Sequence, residues 1–149
     1  MKQPTLILPP FTLETAKQKV QIIEDAWNSK NPIEISSAYS KDSKWYANEF
    51  TLLSGRKEIQ EFLKSKWEKE LDFEVTKRYW AHTDNSIAVQ FDYDYRIENG
   101  QWYCSYGNEI FEFDEEGLVK NCLIRIYHST IDDSERPLSQ NLVEIMQNI

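Results

Sequence analysis

The sequence predicts an α+β domain in which helices come first and a mainly antiparallel sheet follows. Two observations carry that expectation. Up to Leu71 the apolar residues recur at steps of three and four, and from Asp72 onward they alternate. Turn signals at Asp84-Asn85, Asn99-Gly100 and Glu115-Glu116-Gly117 then cut the alternating half into four strands joined as hairpins. A chain of 149 residues is long enough for one domain with a substantial core and short for two, so residues 1–149 are read as a single unit with a helical extension over 137–149.

After Pro9-Pro10, Thr12 is placed to cap a first helix, and Glu14 lies in the first turn, where the helix dipole favours an acid. Leu13, Ala16, Val20, Ile23 and Trp27 give that helix one apolar face. Asn31-Pro32 ends it and starts a short helical segment from Ile33 to Tyr39, with Pro at a first-turn position where its missing N–H is harmless. A brief strand, Lys44 to Ala47, follows. Ser54-Gly55 opens a third helix whose buried stripe is Ile59, Phe62, Leu63, Trp67 and Leu71, with Lys66 and Glu70 as an i,i+4 pair. The strands run Phe73 to His82, Ile87 to Ile97, Gln101 to Phe113 and Leu118 to Ile131. Beyond the polar break DDSERP, Ser139 is placed to cap a last helix bearing Leu142, Ile145, Met146 and Ile149. That helix covers a pocket mouth, crosses to a partner or frays.

The stretch Trp102 to Phe113 is the middle of the sheet, and its register fixes the faces. A two-residue Asn99-Gly100 loop sets Tyr93 opposite Tyr106 and Phe91 opposite Asn108. A three-residue Glu115-Glu116-Gly117 loop sets Tyr106 opposite Ile126 and Cys104 opposite His128. One face then carries Ile87, Val89, Phe91, Tyr93, Tyr95, Trp102, Cys104, Tyr106, Asn108, Ile110, Cys122, Ile124, Ile126 and His128, an apolar wall with a few polar groups. Glu109, a second candidate for the site through its place in the Gly107-Asn108-Glu109 stretch, falls on the other face near Arg125 and opposite Gln90, where a structural ion pair is expected instead. The first long strand is left in two registers, one turning Arg78 and Trp80 inward, the other Val75 and Tyr79. The outer face mixes charges with Tyr103, Phe111, Phe113, Leu123 and Tyr127, the composition of an interface, so a homodimer through it is expected against the alternative of a solvated face.

A net charge of −8 and a pI near 4.8 argue against a nucleic-acid partner, whose phosphates need a basic footprint. No apolar run is long enough to cross a bilayer, and the N-terminal MKQPTLILPPF lacks the pattern of a signal peptide, so a cytoplasmic location is expected. Cys104, Cys122, His82 and His128 show no zinc-ligand spacing, and the four glycines form no phosphate-cradling loop. Neither a metal nor another cofactor is expected. Both cysteines read as small core residues rather than a disulfide.

Several motifs go further: PFTLETA (10–16), AWN (26–28), DSKW (42–45), EF (49–50), SGRKEI (54–59), KWEKELD (66–72), YWAHT (79–83), IAVQF (87–91), and QWYCSYGNE with EFDEEGL (101–118). Together with the order of elements they resemble the nuclear transport factor 2-like, or SnoaL-like, superfamily, and within it an uncharacterised SnoaL-like family, from about Pro10 to Gly117. The resemblance implies a cone of three N-terminal helices on a curved sheet. The superfamily contains isomerases, dehydratases, cyclases, hydrolases and binding modules, so it does not choose an activity. The chain departs from the family where W-R-N-R becomes Trp45-Tyr46-Ala47-Asn48, and where a family aspartate falls at His128.

The site expected from these readings is a pocket for a small, partly apolar organic molecule. His128 is the candidate general base, since imidazole titrates near neutrality. Tyr106, with Tyr93 and Asn108, would donate hydrogen bonds to a developing oxyanion. Trp45, Trp67 and Trp80 would be aromatic walls, with Tyr95 and Cys104 beside them. Proton-transfer chemistry of the isomerase or dehydratase kind needs nothing more. The alternative is a module that binds a ligand or a protein without turnover. Arg56 is expected to anchor the third helix to a nearby carboxylate or carbonyl.

Overall fold

Thr12 caps α1 (Leu13–Ser29) as its sequence position requires: its hydroxyl accepts from the Thr15 N–H at 3.1 Å, and Thr15 returns a bond to the Thr12 N–H at 2.8 Å. The computed structural model describes residues 6–47 and 50–131, and only the backbone of residues 50, 51, 128, 129 and 131. The expected helix over 137–149 lies outside the described residues. Asn31 caps the short α2 (Pro32–Ser37), and Gly55 at φ 84° opens α3 (Gly55–Lys69). Arg56 Nε donates to the Tyr39 carbonyl at 2.7 Å, the anchoring role expected of it.

The strands are β1 (Tyr39–Ala47), β2 (Phe50–Ser54), β3 (Leu71–His82), β4 (Ser86–Arg96), β5 (Trp102–Phe113) and β6 (Val119–Ile131). They form one mixed sheet in the order β2-β1-β6-β5-β4-β3, antiparallel except for β1 beside β6. Sequence reasoning found β1 as a fragment and missed β2, which is short and follows β1 too closely for a turn signal to stand out. Three helices on a six-stranded sheet give the α+β architecture expected.

The register departs from expectation in the middle of the sheet. The β4–β5 loop has three residues rather than two: Ile97 N–H donates to Gln101 C=O at 3.0 Å and Gly100 takes φ 89°. Asn99 does not adopt the left-handed conformation; its Oδ1 accepts from the Gln101 N–H at 2.9 Å instead. Tyr93 therefore pairs with Ser105 and Gln90 with Asn108, so the odd residues of β5 face the core. The β5–β6 loop closes as expected, with Asp114 N–H to Leu118 C=O at 2.8 Å, but the pairing slips between Glu112 and Phe113. That second slip restores β6: Cys122, Ile124 and Ile126 face inward as predicted. In β3, Asp84-Asn85 is a two-residue loop, yet a slip between Tyr79 and Ala81 settles the open register with Val75 and Tyr79 inward.

The core lies between the helices and the inner sheet face, with Trp45, Ile59, Leu63, Ile87, Val89, Phe111 and Phe113 almost fully buried. At the free edge of the sheet, Asn28 of α1 bonds both the N–H and the C=O of Val75 at 2.9 Å. Glu24 accepts from the Lys77 N–H at 2.8 Å. Side chains of α1 thus stand in for a missing neighbour strand along β3. Gly107, in mid-strand, is required by close approach: a Cβ there would lie 1.9 Å from the Arg125 carbonyl oxygen. Among the described residues no helix is long and apolar enough to cross a membrane.

Candidate functional site

Between α1, α3 and the inner sheet face is a cavity of about 260 Å³. Trp27, Trp45, Phe62, Phe73 and Phe91 supply most of its aromatic wall, and Ile124 and Ile126 of β6 supply an aliphatic side. Trp45 stacks on Trp27 at 5.9 Å and meets Phe62 edge-on at 5.8 Å. Trp67 stands behind this wall, edge-on to Trp27 and Phe73. The indole N–H groups of Trp45 and Trp67 are buried without a hydrogen-bond partner among the described residues.

Charged side chains break the apolar surface at two places. Lys77, on the inward parity of β3, forms an ion pair with Glu109, on the inward parity of β5; their side chains are 5% and 3% exposed. The Lys77 ammonium lies over the rings of Trp27, Phe91 and Phe111 at 4.8, 5.4 and 5.7 Å, so aromatic faces cover the charge that Glu109 does not. The other Glu109 oxygen lies 3.9 Å from the Cys122 thiol. Burial, then the nearby Glu109 charge, pushes that thiol well above its ordinary range.

The second place is Lys66, whose Nζ is 2.9 Å from both Glu70 oxygens and donates to the Tyr93 hydroxyl at 3.2 Å. Burial lowers the Lys66 pKa against the opposing pull of Glu70. Burial likewise raises that of Glu70, with Lys66 pulling the other way. Tyr93 is pushed up strongly, by burial first and then by the Glu70 charge, and stays a neutral phenol. All five polar residues, Lys66, Glu70, Lys77, Tyr93 and Glu109, line the cavity.

Of the residues expected at the site, Trp45 and Tyr93 line this cavity. Trp67 supports its wall. Tyr95 lies alongside, between Tyr93 and Tyr103 at ring distances of 5.8 and 5.4 Å. Tyr106 and Asn108 are corrected: the three-residue loop turns them to the outer face, where both are exposed. Cys104 is on the same parity, buried but away from the cavity. Trp80 is 58% exposed, because the slip beside it in β3 turns it outward. The backbone of His128 pairs with Ser105; its side chain lies outside the described ones. Glu109, expected to face outward near Arg125, faces inward, while Phe111 and Phe113 are core rather than outer-face residues.

Of the charged groups of the site, the sequence offers Lys66 and Glu70 only as an i,i+4 pair and Glu109 only on the outer face, and Lys77 is not singled out, although the signal is present. Lys77 interrupts the apolar alternation Phe73, Val75, Lys77, Tyr79, and Lys66 sits on the buried stripe Ile59, Phe62, Leu63 of α3. Among the described residues no group of three or more His, Cys, Asp or Glu is disposed to hold a metal ion.

The fold is similar to that of SalBIII, an epoxide hydrolase/cyclase-like enzyme with a role in pyran ring formation in salinomycin: TM-score 0.69 and 13% identity, covering 79% of this chain and 97% of that one. It is similar to a hypothetical protein with ketosteroid isomerase-like fold from Catenulispora acidiphila, solved with trimethylamine: TM-score 0.61, 14% identity, 72% and 82% coverage. It also resembles a computationally designed 17-OHP binder, with TM-score 0.63, 11% identity, and 76% and 97% coverage. These likenesses establish the SnoaL-like, nuclear transport factor 2-like fold. No curated protein matches the chain in sequence. A family profile spans residues 9–139, and the chain belongs to that family, described as protein of unknown function (DUF1348).

Proposed function

We propose that the cavity binds a small, formally neutral, partly apolar carbonyl compound and moves a proton on it without a cofactor. The observation that carries this reading is the set of four charges inside an aromatic cavity. Lys66 and Lys77 balance Glu70 and Glu109, so a charged ligand would bring an uncompensated charge into a poorly solvated space. A neutral carbonyl would not. At about 260 Å³ the space lies below the roughly 300–1,000 Å³ of drug-sized pockets, which points to a small molecule. Glu109 is the proposed base, and Lys66 with Tyr93 the donors to the oxygen that gains charge. His128 is carried in the proposal as a further proton-transfer group.

Binding without turnover is the alternative, favoured by one observation: Glu109 is held in an ion pair with Lys77, so a carboxylate oxygen is already engaged rather than presented to a ligand. The test is exchange of α-protons of small neutral ketones in deuterated water, followed by proton NMR. Exchange that falls by about 10²–10⁴-fold in Glu109→Gln supports the enzyme. A thermal shift with the same ketones and no exchange supports the binder. His128→Ala that leaves exchange unchanged removes His128 from the mechanism.

The proposed assembly is a homodimer through the outer sheet face. Tyr106 and Tyr127 stack there at 5.6 Å while 47% and 56% exposed, with exposed Ile110 and Leu123 nearby in the same strand pair. A monomeric mass in light scattering at micromolar concentration would exclude it. The proposal includes a cytoplasmic setting.

A further inference from the structure

Lys66 is out of place by the ordinary rules of helix patterning. It follows Ile59, Phe62 and Leu63 at helical spacing, on the face that α3 turns to the core, and Glu70 continues the same face one turn on. Charged residues on a buried stripe break local consistency, and such breaks concentrate at functional sites. The side chains of Lys66 and Glu70 are only 9% and 16% exposed, and both line the cavity. The Lys66 ammonium also lies over the Tyr93 ring at 4.3 Å and that of Phe73 at 5.2 Å.

We propose that Lys66 is a covalent catalyst: its amine condenses with the carbonyl carbon of the bound compound to give an iminium. The inference rests on the reading of the cavity as a site for neutral carbonyl compounds and deepens it. Lys66 first passes a proton to Glu70, whose two oxygens are both 2.9 Å from Nζ. The free amine then attacks the carbonyl carbon, forming the N–C bond of a carbinolamine. Glu70 returns its proton to the departing oxygen, the C–O bond breaks, and water leaves. The balance is one protonated amine and one carbonyl compound giving one iminium and one water, with no oxidant, reductant or net proton required. Tyr93, 3.2 Å from Nζ, is placed to hydrogen-bond the oxygen as it leaves.

The environment supports each step. Burial destabilises the charged form of Lys66 and the charged form of Glu70 together, which narrows the gap between the ion pair and the amine–acid pair that the first step needs. Lys77 does not compete, since it is locked on Glu109 beneath three aromatic rings. An iminium on Lys66 is an electron sink for the carbanion left when an adjacent proton is removed. The proposed base, Glu109, lines the same cavity.

The experiment uses the whole chain with two neutral probes. Cyclohexanone is trapped with sodium borohydride and the modified lysine found by peptide mass spectrometry; 2,4-pentanedione is followed by the near-ultraviolet band of its enaminone. The expected result is modification of Lys66 at least about tenfold faster than of exposed Lys57 and Lys64. Lys66→Arg, which keeps the charge opposite Glu70 but cannot form the iminium, should lose the adduct while keeping the wild-type circular dichroism. Labelling of Lys66 no faster than of Lys57 and Lys64 overturns the inference. Failure of the two readings is separable. Ketone exchange that persists in Lys66→Arg without trapping in the wild type removes the covalent step and leaves Glu109. Trapping at Lys66 with no exchange in the wild type leaves Lys66 and removes proton transfer.

Discussion

Replacing Lys77 by Met would leave the Glu109 carboxylate 3% exposed with no cation beside it. Its other hydrogen-bond contact among the described residues is the Cys122 thiol at 3.9 Å, too weak a donor to replace an ammonium. Breaking a buried pair by removing one partner costs about 3–5 kcal/mol, a large share of the roughly 5–15 kcal/mol that holds a domain folded. With a urea slope of about 2 kcal/mol/M, the midpoint of Lys77→Met should fall by about 1.5–2.5 M. Removing both charges is a different perturbation. In Lys77→Met/Glu109→Met no charge is left stranded among Trp27, Phe91 and Phe111, so the double variant should recover most of the loss. Urea titrations of the wild type, both single variants and the double variant, followed by tryptophan fluorescence, give the coupling energy directly. A loss under about 1 kcal/mol in each single variant, or losses that simply add, would refute the argument that this pair is buried and mutually dependent.

Gly107→Ala should destabilise by about 1–3 kcal/mol or more, because the new Cβ meets the Arg125 carbonyl; calorimetry should show a transition several degrees lower. Asn28→Ala should cost about 1–2 kcal/mol and speed hydrogen exchange at the Val75 amide, which loses its acceptor. For Glu70 the folded-state pKa is raised, so the folded protein binds more protons than the unfolded chain above about pH 4.3, and stability falls as pH rises from there toward the raised value. Glu70→Gln should remove that fall, and Lys66→Met, which deletes the group opposing the shift, should extend it to higher pH; urea midpoints across this range read both.

The helices and turns were legible because their signals are local. Thr12 caps within its own turn, Pro32 starts α2, and Gly117 takes φ 82° where Glu115-Glu116-Gly117 was read as a three-residue loop. Strand parity is not local, since it depends on one residue at each turn and on each slip. At Glu98-Asn99-Gly100 the asparagine bonds Gln101 through its side chain and leaves the positive φ to glycine alone, which reverses β5. The slip between Glu112 and Phe113 reverses the parity again, so β4 and β6 were read correctly around a misread middle strand. That strand holds Glu109, and its reversal put Tyr106 and Asn108 in the site and left Glu109 out. The match of Lys77 with Glu109 was legible only as an anomaly, two charges in apolar alternations that become partners once the register is known.

The strand order has a bearing on how the protein is made. The β6 segment closes the described chain, yet it lies inside the sheet, parallel to β1 on one side and antiparallel to β5 on the other. On the ribosome, β1 with β2 and the β3–β4–β5 meander emerge as two ribbons with no strand pairing between them, each with an unpaired edge, until β6 is released between them. Ile124 and Ile126 complete the cavity wall at the same moment. Synthesis therefore exposes two sticky edges late, and a nascent chain stalled before Val119 would be a natural client for chaperones rather than a smaller version of the fold.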